Sequence, residues 1–111
     1  MRSDRNDVEK FLSEVREAIR QQNSSFEGQR HKNKQTLIKL GLLVSDVYEY
    51  VSELTYRDYV KGPEIDRDFP TSDNFWMFKK NINNESIYIK LKLRKQTNGC
   101  AAIVSFHIDD K

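Results

Sequence analysis

The sequence has a single cysteine, Cys100, among 111 residues, so no internal disulfide can form and any stability must come from packing. It has no apolar run long enough for a membrane helix and no stretch shaped like a secretory signal. The expectation is therefore a cytoplasmic chain with no membrane partner. Charge of neither sign dominates: 19 Lys and Arg stand against 17 Asp and Glu. With a net charge of +2, the overall balance does not call for a polyanionic partner. Also missing are a Gly-rich phosphate loop, a zinc-ligand spacing, a His-Glu-x-x-His helix and a nucleophile elbow. No metal or cofactor is expected. The length suits one domain, residues 1–111, with a modest core.

What the chain does have is a β-hairpin pattern from Ser86 to Ile108. Ile87, Ile89, Leu91 and Leu93 alternate with Tyr88, Lys90, Lys92 and Arg94, the period of a strand with one buried face. Cys100 to Ile108 is nearly continuous in apolar residues and reads as a central strand covered on both sides. Asn98-Gly99 between them is a strong tight-turn signal. A two-residue turn there would pair Thr97 with Cys100. It would set Ile89 against Ile108, Leu91 against Phe106 and Leu93 against Val104. On the other face Lys90 would meet His107, Lys92 would meet Ser105 and Arg94 would meet Ile103, with Tyr88 diagonal to His107 at about 7–8 Å. A one-residue slip would bury the charges.

Earlier in the chain, Val8, Phe11, Leu12, Val15 and Ile19 predict an amphipathic helix from about Asp7 to Gln22, capped by Asn6. Asn23 to Lys34 fits either a loop or an edge strand around Phe26. Within it His31 is either a solvated loop residue or part of a phosphate-contacting arm. Leu37 to Gly41 suggests a short helical turn. Ser45 or Asp46 caps a helix bearing Val47, Tyr50, Val51 and Leu54. Thr55 and Asp58 resemble a capping box opening a further short helix that Gly62-Pro63 stops, which leaves Lys61 at its carboxyl end. The acidic residues Glu64, Asp66, Asp68 and Asp73 lie in an expected surface loop, with room to act as a lid or partner-binding segment. Phe75-Trp76-Met77-Phe78 reads as a strand, with Trp76 in the core, and Asn81 to Asn84 as the turn into the hairpin. The expected fold is α+β: two or three N-terminal helices on one face of a small antiparallel sheet, the basic face left open.

Between Lys79 and Lys95 six basic residues stand against Glu85 alone. RNA carries its own nucleophile, the 2′-hydroxyl, so cleavage without a cofactor needs only a base, an acid and cations around the phosphate. Tyr88, His107, Lys90 and Lys61, with Lys79, Lys92 and Arg94, are residues of those types. Each has a plainer reading. Tyr88 and Lys90 could be the wet side of a half-covered strand, Lys61 a cation at a helix end, and His107 an edge residue. Ser105 has no base and carboxylate spaced to activate it.

The chain resembles the MqsR-type mRNA interferase toxins of bacterial type II toxin-antitoxin systems. The resemblance is carried by Leu54-Thr55-Tyr56-Arg57-Asp58-Tyr59-Val60-Lys61, Trp76, Ile87-Tyr88-Ile89-Lys90-Leu91-Lys92 and Ala102-Ile103-Val104-Ser105-Phe106-His107. It implies a RelE-like α+β fold and a ribosome-independent endoribonuclease that cuts single-stranded mRNA and is held inactive by a cognate antitoxin. It places the family's lysine on Lys61 and its strand tyrosine on Tyr88. The functional lysine that follows Ser-Phe in the best-known members is His107 here, which keeps a proton-transfer residue. The family's glutamine after the tryptophan is Met77, which lacks an amide, so base preference does not carry over. With the reading of the basic face, the expected roles are catalysis by Lys61, Tyr88 and His107, as the resemblance implies, and substrate binding by the cations Lys79, Lys90, Lys92 and Arg94. The competing expectations are a non-catalytic binding module with a basic sheet face, or a toxin acting on another target such as a topoisomerase.

Overall fold

The first helix, α1 (Arg5–Arg20), begins two residues before the apolar periodicity suggests, because the carboxylate of Asp4, rather than Asn6, accepts the Asp7 N–H. It buries Val8, Phe11, Leu12, Val15 and Ala18. The structure, a computed structural model, describes residues 2–95 and 98–109 of the chain. Helix α2 (His31–Leu40) extends well beyond the expected turn, and Gly41 ends it in the left-handed conformation at φ +67°. Helix α3 (Val44–Ser52) buries Val47 and Val51. Its Asp46 carboxylate accepts the Leu43 N–H, so the helix starts earlier than a cap at Ser45 or Asp46 would place it.

Five strands form one sheet in the order β1-β5-β4-β3-β2: β1 (Ser24–Phe26), β2 (Tyr59–Glu64), β3 (Phe75–Ile82), β4 (Glu85–Arg94) and β5 (Cys100–Ile108). All neighbours are antiparallel except β1, which runs parallel to Ala101–Ile103 and makes the sheet mixed. β5 is an interior strand, between β1 and β4, as its apolar run predicts, and β4 is the middle one of the five. Ile87, Ile89 and Leu91 of β4 join Phe78, Ile103, Phe106 and the buried stripes of α1 and α3 in one core. The α+β architecture is the expected one, helices preceding a mostly antiparallel sheet.

On the side of β5 away from β4, β1 pairs only as far as Ile103, and α2 takes over the rest of that edge with side chains. Asn33 Nδ2 donates to the Val104 carbonyl at 3.1 Å and its Oδ1 accepts the Phe106 N–H at 2.9 Å. Thr36 Oγ1 accepts the Ile108 N–H at 2.9 Å. Both residues are buried, so a sheet edge that would otherwise present unpaired backbone groups is satisfied inside the protein.

Three expectations need correction. The Thr55–Asp58 box forms, but it caps a single 3₁₀ turn, Tyr56–Asp58, and the chain passes directly into β2. Lys61 therefore lies on an edge strand, opposite Met77, and not at a helix end. Gly62, in the same strand at φ +134°, passes so close to β3 that a Cβ would stand 2.9 Å from the Phe75 carbonyl oxygen.

The hairpin register also differs. Cys100 pairs with Arg94 and so not with Thr97, which itself lies outside the described residues. The register is displaced by two at Ile87–Lys90, which leaves every side chain on its expected face: Ile89 meets Phe106, Lys90 meets Ser105, and Tyr88 meets His107 directly. A bulge then inserts Val104 between Ser105 and Ile103. Past it the faces swap, so Ile103 enters the core opposite Leu91 while Val104 turns to the basic side.

The basic face is not left open. The segment joining β2 to β3 folds back over one end of it. The carboxylate of Asp66 lies 3.0 Å from Lys92 Nζ, which also donates to Ser72 Oγ at 3.0 Å.

Candidate active site

The alternation along β4 places Tyr88, Lys90 and Lys92 on the face away from α1 and α3, and the register brings partners to them in rows. One row crosses three strands as Lys79, Tyr88 and His107. The next crosses four as Lys61, Met77, Lys90 and Ser105. The ring centroids of Tyr88 and His107 are 5.4 Å apart, tilted by 40°. Cross-strand pairing on a pleated sheet sets this proximity, closer than the diagonal contact expected.

His107 Nδ1 lies 3.0 Å from the carbonyl oxygen of Ile108. A carbonyl only accepts, so Nδ1 carries the hydrogen and the neutral ring offers Nε2 as a proton acceptor. Burial pushes the Tyr88 phenol above its ordinary range; the charge of Lys79 pulls it down and that of Asp109 pushes it further up. Tyr88 thus remains a hydrogen-bond donor at neutral pH. Lys79 pairs with Asp109 at 2.7 Å, so its charge is partly spent within the fold.

Lys90 is driven below the ordinary lysine range, first by burial and then by the nearby cations Arg30, Lys61 and Lys92, with Asp66 opposing. Its ammonium stands 4.5 Å from the centroid of the Phe75 ring, and that of Lys92 stands 4.4 Å from the same centroid.

Of these rows Lys61, Met77, Lys90 and Tyr88 line a groove of about 790 Å³, to which the segment after β2 and the residues Glu27 and Arg30 also contribute. Lys61 is exposed at one side of it and Tyr88 and Lys90 are part-buried within it. His107 lines a second depression, of about 330 Å³, together with His31, Lys32, Gln35 and Lys39 of α2. His31 is therefore the first residue of α2, not part of a loop.

Two residues expected on an open binding face stand differently. Lys92 is only 5% exposed and is held by Asp66 and Ser72. Arg94 is exposed at the groove's end, 3.7 Å from Glu27. Met77 is buried in the floor between Lys61 and Lys90. Trp76 points the other way and stacks on Phe11, centroids 4.4 Å apart, in keeping with a core role. Sequence patterns do not single out Phe75, Arg30 or Asp66 for the site. The one signal for them is the acidic run at positions 64–73 beside the basic run at 79–95, which foreshadows a charge pairing but not its partners.

Among the described residues no group of His, Cys, Asp and Glu is arranged to hold a metal ion. No helix among them is long and apolar enough to cross a membrane. No curated protein and no solved structure matches the chain. A family model described as motility quorum-sensing regulator, toxin of MqsA, matches residues 9–108, from the second turn of α1 to the last residue of β5. The helices-then-sheet architecture is consistent with a RelE-like fold. With nearly its whole fold inside that match, the chain belongs to the MqsR toxin family of toxin-antitoxin systems.

Proposed function

We propose that the protein is an mRNA interferase: an endoribonuclease toxin, cytoplasmic and metal-independent, that cuts single-stranded mRNA and is neutralised by a cognate antitoxin. The observation that carries this reading is the direct opposition of Tyr88 and His107 on the same face as Lys61 and Lys90. A proton acceptor, a proton donor and cations are what a transphosphorylation needs when the RNA supplies the nucleophile.

In the proposed reaction Nε2 of His107 takes the proton of the 2′-hydroxyl as its oxygen bonds to phosphorus. Tyr88, which keeps its proton, donates toward the 5′-oxygen. Lys90 and Lys61 face the non-bridging oxygens and stabilise the charge that builds up on them. The bond from phosphorus to the 5′-oxygen breaks, leaving a 2′,3′-cyclic phosphate on one product and a 5′-hydroxyl on the other. Tyr88 lines the groove and His107, 5.4 Å from it, lines the depression along α2, so a strand of RNA crossing from one to the other would pass over the catalytic pair.

Incubation of the purified protein with a defined single-stranded RNA in excess chelator, followed by mapping of the ends, tests the reaction class. Discrete cuts with cyclic-phosphate ends support it. RNA that is retarded on a gel with steep salt dependence but stays intact would instead mark a non-catalytic binding module.

A further inference from the structure

The segment between β2 and β3 fixes the backbone of an aromatic residue and leaves its ring in water. Phe69 is 67% exposed, yet its backbone is fixed on both sides. Its N–H donates to Asp66 Oδ1 at 3.2 Å, and its carbonyl accepts the Ser72 N–H at 2.9 Å. Asp66 and Ser72 are in turn the two partners of Lys92 on β4. Exposing a phenylalanine and ordering the loop around it both cost free energy, and a plain connection between two strands requires neither.

The ring's position suggests what offsets that cost. Phe69 lines the same groove as Lys61, Tyr88 and Lys90, with the exposed Ile65 beside it. The other aromatic faces nearby are occupied: Phe75 by the ammonium groups of Lys90 and Lys92, Trp76 by Phe11. Among the described residues no ring or cation packs on Phe69. Cations at the floor and a free aromatic face on the wall are the combination by which single strands are held, phosphates on the charges and a base on the ring.

We propose that Phe69 is the platform on which one unpaired base beside the cleavage site stacks, and that Asp66 and Ser72, through Lys92, are the residues that position it. The proposal rests on the ribonuclease reading above and adds to it where the substrate is gripped. Of the three carboxylates between positions 64 and 68 that line the groove, Asp66 is paired with Lys92, and Glu64 feels the charges of Lys61 and Arg67; Asp68 is the third.

The test uses a single-stranded RNA made uncleavable by one 2′-deoxy nucleotide at the cut, with affinity read by fluorescence anisotropy. Phe69→Leu keeps an apolar side chain without a π face and is expected to weaken binding about tenfold, while Phe69→Trp retains it. In a series of RNAs each with one abasic position, the penalty of Phe69→Leu should vanish at a single position. On cleavable RNA, Asp66→Asn should raise KM by a similar factor, leave the saturated rate unchanged, and add little when combined with Phe69→Leu. Equal affinities for wild type and Phe69→Leu would overturn the inference alone, as would a penalty that persists at every abasic position. Loss of a protein partner with RNA affinity intact would also overturn it, assigning the ring to that partner instead. Failure of the wild type to bind RNA at all would overturn the ribonuclease reading and this inference together.

Discussion

Tyr88 and His107 occupy directly opposed positions on β4 and β5, their rings 5.4 Å apart, with Lys79 completing the row on β3. The phenol is pushed above its ordinary range by burial, so across neutral pH it acts as a donor and does not compete with the imidazole for a proton. Tyr88→Phe removes the hydroxyl and keeps the ring packed on His107. It should lower cleavage by roughly a hundredfold with thermal stability preserved, measured by single-turnover rate beside a melting curve.

Lys90 is expected to shape the alkaline side of the pH-rate profile. Burial and neighbouring cations hold its ammonium below the ordinary lysine range, so raising the pH neutralises it earlier than an exposed lysine. Activity should fall as it loses its charge. Lys90→Arg keeps the cation over the whole range, and the alkaline limb should move upward in a rate profile measured with saturating RNA.

The buried pair of Asp66 and Lys92 ties loop stability to pH. The hydrogen bond from Lys92 is the largest influence holding the Asp66 carboxyl below its ordinary value; the Phe69 and Asp68 N–H groups add to it, and burial works against it. The unfolded chain binds the proton first as pH falls, so this contribution to stability is complete above the ordinary aspartate range. It is lost as pH drops through the depressed folded value. Melting temperature followed downward from about pH 5 should therefore decline more steeply in wild type than in Asp66→Asn. Parallel curves would detach the carboxylate from the fold's acid sensitivity.

Asn33 is expected to be the most sensitive polar residue of the framework. Asn33→Ala would leave the Phe106 N–H and the Val104 carbonyl without partners at a buried edge. A loss of about 3 kcal/mol is expected, visible as a lower midpoint in urea denaturation. Asn33→Asp should also destabilise, since it retains the acceptor for Phe106 but cannot donate to Val104.

The parts of this molecule that could be read in the sequence are those where local chemistry decides the outcome. The alternation from Ile87 to Arg94 sets two faces, and Asn83 and Asn84, both at positive φ, make the turn into it. The union of Tyr88, Lys90 and His107 on one face survives a register displaced by two, because an even displacement leaves the pleat unchanged. The bulge at Val104 is hidden because Ala101 to Val104 is apolar throughout and has no period to break. Lys61 is misplaced by local pattern because the Thr55–Asp58 box is real but caps only one turn, after which β3 pairs with the chain and makes it a strand. The pairing of Asp66 with Lys92, and of Asn33 with β5, joins residues distant in the chain. Local patterns carry no information about such contacts.

The central claim is that the imidazole of His107 moves the proton of an RNA 2′-hydroxyl on a sheet face it shares with Tyr88 and the lysines. Its most direct test is the single-turnover rate of His107→Ala on a single-stranded RNA, alongside the wild type on that RNA with one 2′-deoxy nucleotide at the cut. The account predicts a loss of about a hundredfold or more for the variant, with RNA affinity and melting temperature retained, and no cleavage of the deoxy substrate. Cleavage by His107→Ala at the wild-type rate, or cutting at the 2′-deoxy position, would contradict it.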